Sequence, residues 1–147
     1  MAVMKRFRIP FLAVFTLLFS VLFASSPTFA ASSVSNWHTV LKGEDTVNVG
    51  QSFKVGSSGT VTVMVDQYVK DTNGNEDRSQ AANVTYYLYN VVSGKSVSFT
   101  VSASVGGALG APASKTFTDV NAGTYIIKAQ NNLSASVATG GNVYVSK

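Results

Sequence analysis

Hydrophobic and polar residues alternate through most of the chain beyond residue 40, and the clearest run extends from Thr60 to Val69. Its first three valines occupy alternate positions, so they point to the same side of an extended strand. A second alternating run, Asn83 to Val92, follows a polar segment. The whole stretch from Gly59 to Val92 therefore has the pattern of a β-hairpin with a long polar tip.

Shorter runs of the same kind fill the remainder, separated by clusters of Gly, Asn, Asp and Ser that favour turns. Val47 and Val49 are expected to point inward, and Gly140 and Gly141 are expected to lead into the last strand. No segment after residue 30 shows apolar residues at helical spacing. We therefore predict an all-β fold, a single antiparallel β-sandwich of jelly-roll or immunoglobulin-like type with about eight strands. The other predicted strands are residues 37–41, 46–55, 96–105, 116–118, 123–129, 134–138 and 143–145.

The first 30 residues have the three parts of a secretory signal peptide. Basic residues stand near the start, an apolar run extends from Phe11 to Phe23, and Thr28 and Ala30 occupy the positions that a signal peptidase reads. As a helix, the apolar run would span only about 20 Å of the roughly 30 Å hydrocarbon core of a membrane. We predict a bacterial signal peptide at 1–30 and a single secreted, extracellular domain at 31–147, with no membrane span after cleavage.

Charge and cysteine content narrow the class of protein. The chain has 11 Lys and Arg against 7 Asp and Glu, and three of the basic residues lie in the predicted signal peptide. The exported part is therefore close to neutral, which gives no reason to expect a nucleic-acid partner. Because the chain has no cysteine, packing and sheet hydrogen bonds must hold the domain together without disulfides.

The polar tip of the predicted hairpin carries oxygen-bearing side chains at every second position. These residues are Asp71, Asn73, Asn75 and Asp77. Calcium prefers six to eight oxygen ligands, and this spacing would let one loop surround the ion. The alternative is a solvated turn built on Asn73 and Gly74, a pair that suits positive φ angles. Both interpretations stay open, and calcium is the only cofactor that the sequence suggests.

Three tyrosines form a candidate ligand-binding surface. Tyr87 and Tyr89 share one face of their strand, and Tyr68 lies on the facing strand of the predicted hairpin. Such a row of rings could stack against the sugar rings of a polysaccharide. The alternative is ordinary cross-strand aromatic packing, which is favourable in itself.

His38 is the single histidine of the chain, and it stands next to the single tryptophan. No G-x-S-x-G turn accompanies it, so the sequence offers no strained nucleophile for a serine hydrolase. One histidine without any cysteine also supplies too few of the ligands that a zinc site usually has. We expect His38 to be a strand-edge residue, and we expect the protein not to be an enzyme.

Three segments resemble the bacterial pre-peptidase C-terminal domains. These are GTVTVMV at 59–65, YYLYN at 86–90 and FTDVNAGTYIIKA at 117–129. The resemblance implies a secreted, non-catalytic β-sandwich of a kind usually appended to a protease or another hydrolase. Some domains of that architecture bind calcium or polysaccharide, and the resemblance assigns neither ligand to particular residues of this chain.

Taken together, the sequence predicts a secreted, non-catalytic binding module for cell-envelope or extracellular polysaccharide or matrix material. Two other functions stay open. One is a bacteriocin-like or toxin-like antagonist of neighbouring cells, and the other is a matrix protein that assembles through exposed edge strands. The sequence leaves the oligomeric state open.

Overall fold

The computed structural model describes residues 32–147, so the predicted signal peptide lies outside the described residues. These residues form eight β-strands and one short 3₁₀ turn at Gly107–Leu109. Within them, no helix has the length and apolar character needed to cross a membrane. The strands are β1 Ser35–Leu41, β2 Thr46–Val55, β3 Gly59–Val69, β4 Val84–Asn90, β5 Ser96–Val101, β6 Ala113–Val120, β7 Gly123–Asn131 and β8 Val137–Ser146.

Two four-stranded antiparallel sheets pack face to face. The first sheet has the order β1-β8-β3-β6, and the second has the order β2-β7-β4-β5. Strand β1 pairs with β8, β2 with β7, β3 with β6 and β4 with β5, as if one long hairpin had been rolled around the core. This pairing is the pattern of a jelly roll, one of the two predicted types of all-β sandwich.

The predicted hairpin between 59 and 92 is wrong, although its two strands are correctly located. Strand β3 pairs with β6 and β8, whereas β4 pairs with β5 and β7 in the other sheet. The connection at 70–83 is too long to impose a tight hairpin, and it instead carries the chain from the first sheet to the second. The tight hairpin joins β4 to β5, where the Asn90 side chain accepts hydrogen bonds from the amides of Val92 and Ser93.

The predicted alternation places the core correctly in the central strands. The side chains of Val61, Val63 and Val65 are fully buried between the sheets, as is Tyr86 from the opposite sheet. Burying these side chains is the main favourable term that folds a domain without disulfides. The rest of the hydrophobic core includes Trp37, Leu41, Val49, Phe53, Val55, Val69, Val84, Leu88, Tyr125, Ile127, Val137 and Val143.

A chain of hydrogen bonds crosses this core from one sheet to the other. Trp37 Nε1 donates to Thr139 Oγ1 at 3.4 Å, and Thr139 Oγ1 lies 2.7 Å from the Tyr86 hydroxyl. That hydroxyl donates to Gln67 Oε1 at 2.8 Å, so the Thr139 hydroxyl is left to donate to Tyr86. Gln67 Nε2 then donates to the carbonyls of Val101 and Ala103, each at 2.8 Å. Every polar side chain in the chain of bonds has a partner, as burial requires.

Two details of the predicted strands are corrected by the structure. Val47 pairs with Ala129 in the same register in which Val49 pairs with Ile127, so both valines have the predicted direction. Val49 is buried, but Val47, near the start of β2, is 40% exposed. The Val47 side chain therefore lies on a part of β2 that the core does not cover. The pairing of β2 with β7 shifts further along, between Val49 and Phe53, where Gly50 has a φ of 70°, a conformation that favours glycine.

Gly140 and Gly141 do not lead into a strand, because they lie inside β8, which contains the strand predicted at 143–145. Of the strand predicted at 134–138, only the last two residues belong to β8. A Cβ atom on Gly141 would overlap the ring of Trp37. The glycine therefore lets the Trp37 ring pack directly on the backbone of β8. The pair has the sequence of a turn but serves close packing within a strand.

Candidate functional site

The Asp71–Asp77 segment lies in the connection from β3 to β4 and forms a closely hydrogen-bonded loop. Asp71 Oδ1 accepts hydrogen bonds from the amides of Asn73 and Asn75 at 2.9 and 2.8 Å. Gly74, which has a φ of 86°, donates its amide to the Asp71 carbonyl at 3.0 Å. These are the contacts of a turn stabilised by an aspartate side chain.

Asp77 ends the same loop in a similar way. Its Oδ1 accepts from the amide and hydroxyl of Ser79 at 2.9 and 2.5 Å, and its Oδ2 accepts from Gln80 at 2.7 Å. Hydrogen bonds from Ser79, and then from Gln80, hold the pKa of the Asp77 carboxyl below its usual value of 3.8. Among residues 32–147, no three His, Asp or Glu side chains lie close enough to hold a metal ion. Calcium binding at Asp71, Asn73, Asn75 and Asp77 stays a prediction.

The structure separates the three candidate tyrosines. Tyr68 alternates with buried residues of β3, so it points outward from the first sheet. Tyr87 and Tyr89 alternate with buried residues of β4, so they point outward from the second sheet. Because the sheets pack face to face, Tyr68 lies on the opposite side of the sandwich from the other two. The predicted row of three rings is therefore wrong, and only Tyr87 and Tyr89 are neighbours.

Tyr87 and Tyr89 belong to a continuous surface on the outer side of the second sheet. Tyr87 is opposite Lys128 on β7, and Tyr89 is opposite Ile126. The Tyr87 hydroxyl donates to Gln130 Oε1 at 2.9 Å, and Lys128 Nζ lies 3.7 Å from the centre of the Tyr89 ring. All of these side chains are partly exposed. We call this surface the tyrosine face and define it as Tyr87, Tyr89, Ile126, Lys128 and Gln130.

Hydroxyl-bearing side chains continue the tyrosine face toward β5. Ser96 is opposite Tyr89, Ser98 is opposite Tyr87, and the hydroxyls of Thr85 and Thr100 lie 2.9 Å apart. The serine and threonine side chains of β5 are exposed. The surface therefore combines two aromatic rings with a row of hydrogen-bonding groups.

A small cavity lies on the other side of the molecule, between the outer face of the first sheet and the start of the β5–β6 connection. Its volume is about 150 Å³. We call it the loop pocket. Its lining comes from β1, β3 and β8, from the β3–β4 connection, and from the segment that includes the 3₁₀ turn. The lining residues are His38, Asp66, Tyr68, Glu76, Val105, Gly106, Gly107, Ala108, Leu109, Ala138, Thr139 and Gly140.

Sheet register explains how the loop pocket is assembled. His38 on β1 and Asp66 on β3 are both opposite Gly140 of β8, so the two side chains stand on either side of this glycine. A Cβ atom at Gly140 would lie 3.5 Å from His38 Nδ1 and 3.9 Å from Asp66 Oδ2. Glu76 reaches the pocket because it pairs with Lys70, directly after β3.

A larger groove of about 780 Å³ separates the edge strands β5 and β6. Apolar side chains such as Leu88, Val97 and Phe117 line it, together with Lys95 and Lys115. None of the candidate tyrosines borders this groove. Both β5 and β6 are edges of their sheets, so their outer backbone groups lack a neighbouring strand.

Sequence reasoning missed the loop pocket and the grouping of His38 with Asp66. The pattern does show that Asp66 points away from the core, and it identifies His38 as a strand residue. It does not show that β8 lies between β1 and β3, which is what brings the two residues together. The pair Gly140 and Gly141 was the available signal, because two glycines inside a β-rich segment often mark close approach.

Comparisons with known proteins give little beyond the fold. No protein-family model matches the sequence, and no curated protein matches it. The resemblance to pre-peptidase C-terminal domains stays a prediction. A solved carbohydrate-binding module of lichenase 5A from Cellvibrio mixtus, in complex with cellotriose, is similar to this chain with a TM-score of 0.45 and 8% identity. The similarity covers 79% of this chain and 91% of that module, and it carries no information about a ligand here.

Proposed function

We propose that the protein is a secreted, non-catalytic module that binds polysaccharide of the cell envelope or extracellular matrix through the tyrosine face. The observation that supports this proposal is the pairing of Tyr87 and Tyr89 on one outward strand face beside exposed hydroxyl groups. A pyranose ring has an apolar face of C–H groups and a rim of hydroxyls. Aromatic rings match the apolar face, and serine, threonine and amide groups match the rim.

The surroundings of the two rings support a binding surface that is ordered before the ligand arrives. Gln130 holds the Tyr87 hydroxyl, and Lys128 lies over the Tyr89 ring. Both rings stand on a central strand flanked by β5 and β7. Little side-chain entropy is then lost on binding, which favours affinity for a given contact area.

The proposal is tested by co-sedimentation of the purified protein with insoluble polysaccharides such as cellulose and peptidoglycan. We expect the protein to bind at least one of them and the variant Tyr87→Ala/Tyr89→Ala to lose about tenfold or more in affinity. That loss corresponds to about 1.4 kcal/mol, which is modest for two aromatic contacts. Tyr144→Ala is the matched control, because this partly exposed tyrosine points outward from the first sheet.

Equal retention of the double variant and the native protein would overturn the proposal, provided that both unfold at the same temperature. The other functions predict different observations. An antagonist would inhibit the growth of neighbouring bacteria at low concentration, whereas a binding module would leave them growing. An assembling matrix protein would sediment as large species without any polysaccharide.

A further inference from the structure

We infer that the loop pocket is a second binding site, chemically different from the tyrosine face, and that it takes a single amino-sugar ring in its protonated form. The site lies on the opposite side of the sandwich and uses no residue of the tyrosine face. It does not rest on the proposed function of that face. The ligand class follows from the charge, the size and the walls of the pocket.

The charge of the pocket favours a cation. Asp66 and Glu76 contribute two carboxylates to the lining, which contains no lysine or arginine. Within residues 32–147, no ion pair or side-chain hydrogen bond engages the Asp66 carboxylate. Glu76 is paired with Arg78 at 3.2 Å, but the Arg78 side chain is 65% exposed and therefore free to move into solvent. Asp66 is an exposed side chain on the outer face of the first sheet, so its carboxylate is open to a protonated amine that enters the pocket.

The size of the pocket favours one six-membered ring. Its volume is about 150 Å³, and an enclosed cavity of roughly that volume in another protein binds benzene. The loop pocket is open to solvent on one side, so it can hold a ring whose substituents extend out of it. Gly140 forms part of the floor, and any side chain at this position would project between His38 and Asp66. The absence of a side chain at Gly140 is therefore what keeps the floor open.

The walls of the pocket favour a ligand that has an apolar surface as well as a charge. Leu109 and Ala138 are apolar, and the Tyr68 ring can contact either the C–H face of a sugar or an ammonium group. The hydroxyl of Tyr68 and the imidazole of His38 can form hydrogen bonds with sugar hydroxyls. An amino sugar combines all of these features, whereas a bare metal ion would use neither the ring nor the apolar wall.

The loop that covers the pocket is fixed in place, so the pocket exists before a ligand binds. Gln67 and Val105 exchange two backbone hydrogen bonds of 2.9 and 3.0 Å. Gln67 also holds the preceding carbonyls of the loop through its side chain. Gly106, with a φ of 87°, packs so closely on Asp66 that a Cβ atom there would overlap the carboxylate.

The inference is tested by calorimetric titration of the purified protein with glucosamine oligosaccharides. The matched ligands are N-acetylglucosamine oligosaccharides of equal length, which have the same ring without the positive charge. We expect the glucosamine oligosaccharides to bind and the N-acetylglucosamine oligosaccharides not to bind. A higher salt concentration should weaken the binding, because salt screens the attraction between opposite charges. Asp66→Asn should weaken binding by about tenfold or more, because it removes a charge-assisted contact while keeping the shape of the side chain.

Gly140→Val gives an independent test of the location. The Cβ atom makes ordinary contacts at this position, so the variant should fold, and its methyl groups should fill the pocket and abolish detectable binding. Asp45→Asn is the matched control, because Asp45 is an exposed carboxylate outside the pocket. The length of the oligosaccharide is measured after the titration. An intact oligosaccharide shows that the protein binds it, whereas shorter products show hydrolysis by the two carboxylates.

Equal affinity for both kinds of oligosaccharide, or hydrolysis of the ligand, would overturn the inference. So would glucosamine binding that Asp66→Asn and Gly140→Val leave unchanged. Tyr87→Ala/Tyr89→Ala should bind glucosamine oligomers as the native protein does. The test at the tyrosine face and the test at the loop pocket are therefore independent. A negative result at one site does not decide the result at the other.

Discussion

At the scale of single residues, the hydroxyl of Tyr86 connects the two sheets, since it bonds to Gln67 and Thr139 of the first sheet from a strand of the second. We expect Tyr86→Phe to lower the free energy of unfolding by about 1–3 kcal/mol, because two buried polar groups lose a partner. Chemical denaturation measures the change. Tyr87→Phe is the matched control, and it should cost about 0.5 kcal/mol or less, because its hydrogen bond lies on the partly exposed tyrosine face. Equal costs for the two variants would contradict a structural role for the buried network.

Tyr86 also predicts how stability depends on alkaline pH. Burial raises the pKa of its hydroxyl well above the usual 10.0; the Thr139 hydrogen bond opposes this shift, and the charge of Asp66 adds to it. The folded state therefore keeps the proton at a pH where the unfolded state releases it. The contribution of Tyr86 to the free energy of unfolding is complete below about pH 10. It is lost as the pH rises from there toward the pKa of Tyr86 in the folded state. Denaturation at a series of alkaline pH values should show a steeper loss for the native protein than for Tyr86→Phe, and parallel losses would contradict the prediction.

Burial is the property of single residues that the sequence predicts best. A period of two correctly places the valines of β3 in the core, because successive side chains of a strand point to opposite faces. The rule also gives the direction of Val47, which pairs in register with Ala129 as Val49 does with Ile127, but the side chain of Val47 is 40% exposed. How far the opposite sheet covers the end of a strand depends on the fold, and the pattern of one strand does not contain that information.

At the scale of elements, Gln67 fixes the connection between β5 and β6 to the central strand β3. We expect Gln67→Leu to lower the free energy of unfolding by about 2–4 kcal/mol, because the carbonyls of Val101 and Ala103 and the Tyr86 hydroxyl would lose their partner. Chemical denaturation checks the size of the effect. Gln51→Leu, on an exposed side chain, should stay within about 0.5 kcal/mol. A Gln67→Leu protein as stable as this control would show that the connection is held in some other way.

Strand pairing is the property of elements that the sequence does not determine here. A strand with alternating valines can pair with any strand that buries the same face of the sheet. Strand β3 pairs with β6 and β8, which lie far along the chain. Of the strands adjacent in sequence, only β4 and β5 pair with each other, through the turn from Asn90 to Lys95. A short connection does not ensure pairing, because two residues join β6 to β7 and these strands lie in different sheets. The connection at 70–83 likewise joins strands of different sheets. Its polar composition correctly indicates a loop but does not indicate that the loop changes sheets.

At the scale of the whole molecule, the predicted signal peptide can be tested by mass spectrometry of protein recovered from the medium of an expressing bacterium. We expect a chain that begins at Ala31, since Thr28 and Ala30 occupy the positions read by the peptidase. Ala30→Tyr should prevent cleavage, because a bulky ring does not fit where a small residue is required. Recovery of a chain that begins at Met1 would contradict the prediction.

The two candidate sites, on opposite faces of the sandwich, differ in how well the sequence predicts them. The tyrosine face could be anticipated in part, because Tyr87 and Tyr89 lie two residues apart on one strand and local alternation suffices. The loop pocket could not be anticipated, because His38 and Asp66 meet only through their shared neighbour Gly140. Tyr68 illustrates the same limit. Its outward direction was predictable, but the side of the molecule on which it lies depends on the topology of the sheets.

The most direct test of the proposed function follows the backbone amide signals of the isotope-labelled protein by nuclear magnetic resonance during titration with soluble oligosaccharides of cellulose and of peptidoglycan. We expect shifts at residues 85–89 and 126–130, which carry the tyrosine face, and none at Gly140 on the opposite side. Absence of shifts at residues 85–89 at the highest soluble concentration, or shifts confined to the first sheet, would contradict polysaccharide binding at the tyrosine face.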